Sequence, residues 1–363
     1  MRVLILIDDP GLPSAQVSAL QFVELMHAAG MEVDVAAFRA PEVIRKQERV
    51  TRAAARLRMT RLGPPIAARM QRSHDEEIFA RAAAADVVYV IKVPRIEMFR
   101  RLAKLDKPKL LFHVSDAFWL PFLQRHGWAD ADEMLRLSDG VTTTNELTAA
   151  HIRPANPNVF IVPDCPQVED FDRLRASAAR KNGGEVTIGW IGTPLTATAL
   201  FKIWEPLERL AAERANWSLR LVGTGSPELI NVPRFERVRW SALPWYDQEA
   251  MIREVLAMDV GVFPLFEGDD ALSRGSLKTL IYMSGGAASV SEAYGDNLEL
   301  VQDGVNGLLA RSGEEWLEKL RLLIDDPALR VSLAGRGLQT VRERYSRAAI
   351  FAALRTAIEN MYR

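Results

Sequence analysis

Short unbroken apolar runs alternate along the chain with stretches of helical spacing. Val3 to Ile7 is the first run, with no polar position on either face. That is the pattern of a central parallel strand, which is covered on both sides. Asp8-Asp9-Pro10-Gly11 breaks it. Ser14 then caps a predicted helix in which Val17, Leu20, Val23 and Leu25 face a core and Gly30 marks the end. Glu32 to Phe38 reads as the second strand, completing a βαβ unit. The alternation continues with strands at 87–91, 109–112, 141–144 and 159–162, with helices at 96–105 and 131–138, and with Asn145 as a helix cap. After a polar stretch ending in Lys181-Asn182-Gly183-Gly184 the pattern restarts. Strands are predicted at 186–190, 218–222, 238–240 and 258–263, and helices at 200–214 and 246–256. A further helix opens at Gly275-Ser276 and ends at Gly285-Gly286, an apolar strand reaches Val290, and strand 308–310 follows a Gly304–Gly307 turn. Three helices, 313–324, 327–345 and 346–362, close the chain. The class is α/β, with a domain over 1–168, a linker over 169–184, a second domain over 185–345 and a final helix over 346–363.

Composition narrows the function classes. With 48% apolar and 26% charged residues over 363 positions and a net charge of −1, this is a globular chain with no global attraction to nucleic acid. The single Cys165 excludes an internal disulfide and a cysteine-rich metal site, and five histidines show no zinc spacing. Gly11-Leu12-Pro13-Ser14 lacks the second and third glycines of a dinucleotide fingerprint, so no nicotinamide site is expected there. The first apolar run, Val3 to Ile7, is too short for a signal peptide and is followed by acids, and no apolar run has the length of a membrane span, so a cytoplasmic location is expected. One segment departs from the neutral average. From 41 to 72, nine arginines and lysines face only Glu42 and Glu48, with Val43, Val50, Ala54 and Leu57 at helical spacing. It reads either as a solvated helix face or as an amphipathic surface for an anionic membrane or acceptor.

Candidate chemistry collects at strand ends. The loop after 258–263 carries Glu267, Asp269, Asp270 and Arg274, and Lys278 lies in the first turn of the next helix. A helix N-terminus offers unpaired N–H groups and partial positive charge, and two added cations suit a doubly charged phosphate. The plain reading is a charged loop with Arg274 paired to Asp269 or Asp270. Gly192 lets a backbone approach a ligand and Thr193 offers an N–H and a hydroxyl; equally, the pair makes a tight turn. Gly223-Thr224-Gly225-Ser226 is another glycine-rich strand end. His113 and Asp116 end the 109–112 strand, placed either to hydrogen-bond a hydroxylated ligand or to form a turn capped by Asp116.

The order Gly189-Trp190-Ile191-Gly192-Thr193-Pro194, Leu221 to Gly225, Phe263-Pro264-Leu265, Arg274-Gly275-Ser276-Leu277-Lys278, Tyr282 to Gly286 and Gly304 to Ala310 is a known one. It resembles the retaining nucleotide-sugar glycosyltransferases of the GT-B fold, family 4 (glycosyl transferases group 1) type, most specifically over 185–345. The resemblance implies two Rossmann-like domains facing across a cleft, the donor on the second and a hydroxyl acceptor (glycan, lipid-linked saccharide or small metabolite) on the first. It implies that Gly192, Thr193, Arg274 and Lys278 hold the diphosphate, with Ser276 and Leu277 at the helix start. Gly223, Trp240, Ser241 and Leu243 would meet the base and ribose, and Glu267 is a further donor-binding candidate. His113 and Asp116 would orient the acceptor or the sugar, and neither a metal nor another cofactor is expected. Two glutamates found eight positions apart in many relatives are Ser273 and Ile281 here. That departure keeps two alternatives open: a nucleotide-sugar-binding protein without transfer, and a nucleotide-sugar epimerase.

Overall fold

Each half of the chain builds one six-stranded sheet with every pairing parallel. The computed structural model describes all residues except 12, 57–62, 177–183, 225–236, 242, 244–246, 267, 269–274 and 363, and the side chains of Pro13, Ala54, Ala55 and Leu195. The chain divides into two compact units, Met1–Val162 with Phe351–Arg363, and Pro163–Ile350.

The first unit contains β1 (Arg2–Ile7), β2 (Glu32–Ala37), β3 (Val87–Ile91), β4 (Lys109–His113), β5 (Gly140–Thr143) and β6 (Val159–Ile161), in the order β2-β1-β3-β4-β5-β6. β3 and β5 are buried at every residue, and β1 and β4 at every residue but the first; for β1 and β3 that burial is why they read as apolar runs. The predicted 14–30 helix is broken into Pro13–Ser18, a 3-10 turn Leu20–Phe22 and Val23–Ala28. Ala19 leaves helical geometry at φ −146°. Gly30 ends the run at φ +79°, a left-handed conformation that favours glycine. Asn145 caps Glu146–Ile152, its side chain accepting from Thr148 N at 2.8 Å.

The second unit contains β7 (Val186–Ile191), β8 (Trp217–Val222), β9 (Val238–Ser241), β10 (Val260–Phe263), β11 (Ala288–Glu292) and β12 (Leu308–Ala310), ordered β12-β11-β10-β7-β8-β9. The stretch expected as a linker begins instead with a helix, Val168–Arg175, of this unit. Val168, Phe171 and Leu174 recur every third residue as a buried stripe, and Phe171 and Leu174 pack with Ile252 and Val255. Its many charges concealed that stripe. The final helix, Arg347–Tyr362, passes into the first unit, where Phe351 stacks on Phe22 with ring centroids 6.4 Å apart. Among the described residues no helix is long and apolar enough to cross a membrane.

Candidate functional site

In the second unit the chain builds β7, β8 and β9 outward in one direction, then returns to build β10, β11 and β12 in the other. The reversal falls between β7 and β10. In open parallel sheets the crevice at the carboxyl ends of such a pair is the usual ligand position. Here β7 and β10 pair only through Ile188 with Val260 and Gly189 with Gly261. Beyond that the Tyr282 hydroxyl spans the gap, accepting from Ile191 N at 3.1 Å and donating to Val262 O at 3.2 Å. Its ring lies against Gly261, where a Cβ would come within 2.1 Å of it.

The residues around this opening touch one another in series. A Cβ on Gly192 would lie 2.2 Å from the Trp190 ring, and one on Gly223 would lie 2.4 Å from the Gly192 carbonyl oxygen. Gly223 also has φ +79°, so both loops need glycine where they meet. Gly223 N donates to Ser241 O at 2.9 Å, which joins β9 to the series. Trp240 packs against the same core as Trp190, and Leu243 against that of Phe263 and Ile281. Lys278 completes the set. Its Nζ lies 4.9 Å from the Phe263 ring centroid and 5.5 Å from that of Trp190, over the ends of β10 and β7. Lys278 and Gly192 therefore share Trp190.

The helix Leu277–Gly285 starts at Ser276, whose hydroxyl is buried and has no hydrogen-bond partner among the described residues. Thr224 Oγ1 and Trp190 Nε1, at the ends of β8 and β7, are buried in the same condition. The backbone donors are less available than the sequence suggests. Thr193 N donates to Thr196 Oγ1 at 3.0 Å, and Gly192 N to Val222 O at 3.0 Å. Gly275 is flanked by carboxylates: a Cβ there would lie 2.6 Å from Asp164 Oδ2 and 3.9 Å from Asp296 Oδ2. Arg274 and Glu267 lie outside the described residues. Ile281, at one of the positions where relatives carry glutamate, is buried against Phe171 and Ile252.

A polar network missed at the sequence level braces this edge. Glu292, at the end of β11, is 2% exposed and accepts from Lys202 Nζ at 2.8 Å and from Trp316 Nε1 at 3.3 Å. Lys202 also donates to Leu265 O, just past β10. Burial pushes the Glu292 carboxyl above its ordinary value, against the pull of Lys202. Asn297 Nδ2 donates to Glu292 O at 3.1 Å, and Thr279, next to Lys278, donates to Asn297 Oδ1 at 3.1 Å. The root of the 266–274 segment and the first turn of the Leu277–Gly285 helix are thus tied to one buried ion pair. A lysine at 202 within a helical stretch carries no sequence signal of this.

The corresponding edge of the first unit is also polar. Lys92 follows β3 at φ +49°, a strained value for a residue with a side chain, and its Nζ donates to Asp116 Oδ1 at 2.8 Å. Asp116 thus serves an ion pair and caps no helix. His113 is 2% exposed, with Nδ1 3.0 Å from Thr142 Oγ1, itself 3.1 Å from the Tyr89 hydroxyl. His113 Nε2 is buried with no hydrogen-bond partner among the described residues. Burial first, and Lys92 second, lower the His113 pKa to about 3, so the imidazole is neutral near pH 7 and is no proton sink. Trp119 stacks on His151 with centroids 3.7 Å apart, and Phe122 is 55% exposed beyond it. Among the described residues no three His, Cys, Asp or Glu side chains are grouped to hold a metal.

Residues 186–326, within the second unit, match the family described as glycosyl transferases group 1. Solved structures match over the whole chain. Anabaena HepE with UDP-glucose is 14% identical, covering 99% of this chain and 100% of its own at a TM-score of 0.65. Sucrose-phosphate synthase from Thermosynechococcus elongatus is 15% identical, covering 100% and 99% at 0.66. A UDP-forming α,α-trehalose-phosphate synthase from Burkholderia xenovorans is 11% identical, covering 100% and 99% at 0.68. The chain has the fold of these GT-B glycosyltransferases. No curated protein sequence matches it.

Proposed function

We propose that this protein is a retaining glycosyltransferase that moves a sugar from a nucleotide-diphosphate-sugar to a hydroxyl acceptor without a metal ion. The observation that carries the reading is Lys278, whose ammonium lies over Trp190 and Phe263 where β7 and β10 part. The diphosphate of the donor is assigned to that opening. Lys278, the Ser276 hydroxyl and the first turn of the Leu277–Gly285 helix would meet it, with Arg274 from the same loop. Gly223, Trp240, Ser241 and Leu243 border the space assigned to the base and ribose. HepE holds UDP-glucose and the Burkholderia synthase is UDP-forming, so UDP-sugars are the first donors to try.

In the reaction the bond from the anomeric carbon to the β-phosphate oxygen breaks and a bond to the acceptor oxygen forms on the same face. The acceptor's proton passes to an oxygen of the departing diphosphate. Negative charge grows on that group as the bond breaks, so a fixed ammonium stabilises the transition state more than the bound donor. The first unit is assigned the acceptor. There Asp116, held by Lys92, and the neutral His113 would orient hydroxyl groups.

Lys278→Ala tests the reading. Loss of one such group costs about 2.7–4 kcal/mol in the barrier, roughly 100- to 1,000-fold in kcat. The assay supplies a UDP-sugar panel with and without acceptor. Turnover that needs an acceptor and collapses in Lys278→Ala is expected. Turnover surviving within a few-fold would remove Lys278 from the site, and donor converted without acceptor to an isomeric UDP-sugar, rather than to UDP and free sugar, would replace transfer with epimerisation.

A further inference from the structure

The helices Pro41–Arg56 and Gly63–Ala84 of the first unit play no part in the chemistry above. The longer one is anchored to the sheet end: Gln71 Nε2 donates to Phe38 O at 3.1 Å, and His74 Nε2 lies 2.8 Å from Ala37 O. Pro41–Arg56 lies along it through Gln47, whose Nε2 donates to Gln71 Oε1 at 3.0 Å and approaches Ala67 O at 3.4 Å. Val43, Gln47 and Val50 form the inner stripe, and Arg45, Arg49, Arg52 and Arg56 recur on the opposite face.

All four of those arginines are exposed, as are Lys46, Arg69 and Arg72. Arg52 pairs with Glu48 at 3.4 Å; among the described residues no carboxylate pairs with the other six. Exposed cations in a chain of net charge −1 usually have acidic neighbours, so this face is a local excess of positive charge. The same hairpin exposes apolar surface. Ile66, in the first turn of the second helix, is 45% exposed. Beside it Ile44, Gln47, Thr51 and Ala67 line an open groove of about 570 Å³ together with Glu48 and Arg52.

We propose that this hairpin is a docking surface for an anionic lipid bilayer. A soluble polyanion complements the arginines alone. A bilayer with acidic headgroups complements the arginines with its charge, and Ile66 and the groove with its acyl boundary. The attachment is peripheral and electrostatic, and it is independent of the donor-site reading.

The test floats the full chain with phosphatidylcholine vesicles, with and without phosphatidylglycerol, at low and high salt. Each arginine near such a surface contributes about fivefold to partitioning. The variant Arg45→Gln/Arg49→Gln/Arg56→Gln, all exposed positions, should bind phosphatidylglycerol vesicles about a hundredfold more weakly. Arg311→Gln/Arg336→Gln/Arg344→Gln, an equal charge change at exposed positions of the second unit, should bind within twofold of wild type. Circular dichroism confirms that both variants are folded. Wild-type binding that ignores phosphatidylglycerol, or equal loss in both variants, overturns the proposal. So does a wild type that leaves the vesicles alone yet binds polyuridylate through the same arginines, which assigns the face to a soluble polyanion.

Discussion

Both sheets reverse strand order once, and the two reversals are built differently. In the first unit β1 and β3 pair along their full length, from Val3 with Val87 to Ile7 with Ile91. The space beyond is bridged by Arg95, whose Nη2 donates to Asp8 Oδ1 at 2.9 Å. In the second unit the ladder between β7 and β10 stops at Gly189 and Gly261, and a tyrosine hydroxyl replaces the pairing above it. One switch point is closed by an ion pair of its own. The other ends on a lysine lying over two aromatic rings. A parallel sheet offers a switch point by topology, but a ligand site there needs the ladder to end early enough to leave room. The proposed donor edge lies on the second unit, where the ladder ends early, and the proposed acceptor edge on the first, at Lys92, Asp116 and His113.

The supporting ion pairs differ in the same sense, which gives the largest expected effect. Lys202–Glu292 is buried at 19% and 2% side-chain exposure, while Arg95–Asp8 is at 40% and 25%. Lys202→Met leaves the Glu292 charge uncompensated and should cost about 3–5 kcal/mol in urea unfolding. Arg95→Ala should cost about 1 kcal/mol or less. Equal losses would show that the two edges are braced alike.

A second difference is visible in pH. The folded His113 pKa is lowered to about 3, by burial and then by Lys92, while the unfolded histidine stays near 6.5. Below pH 6.5 the unfolded chain takes up a proton that the native imidazole refuses. Stability is complete above that value and falls toward pH 3 by up to about 1.4 kcal/mol per pH unit from this group. His113→Asn should flatten the stability–pH curve by that slope across this window. An unchanged curve would mean that His113 is solvated in the native state.

The buried strands were the most legible part of the sequence. Val3–Ile7 and Val87–Ile91 lie inside on both faces, the pattern of covered parallel strands. Gly192, Gly223 and Lys278 were legible because strand ends and helix starts have chemical signatures, and the structure sets them in contact through Trp190. The Val168–Arg175 helix was not legible, since five of its eight residues are charged around a stripe of three apolar positions falling at 168, 171 and 174. Lys202, Glu292 and Asn297 were not legible either. Polar residues at a strand end read as solvent-facing, and only tertiary packing buries them. The same holds for Thr193, whose N–H looks available in the chain but is taken by Thr196.

The most direct test of the contrast between the two edges is calorimetric binding of UDP to three proteins: wild type, Lys278→Ala and Lys92→Ala. With the diphosphate at the opening between β7 and β10, Lys278→Ala should weaken binding tenfold or more, about 1.4 kcal/mol, and Lys92→Ala should leave it within twofold. Full-strength UDP binding in Lys278→Ala, with the loss appearing in Lys92→Ala, would move the phosphate site to the first unit and contradict the account.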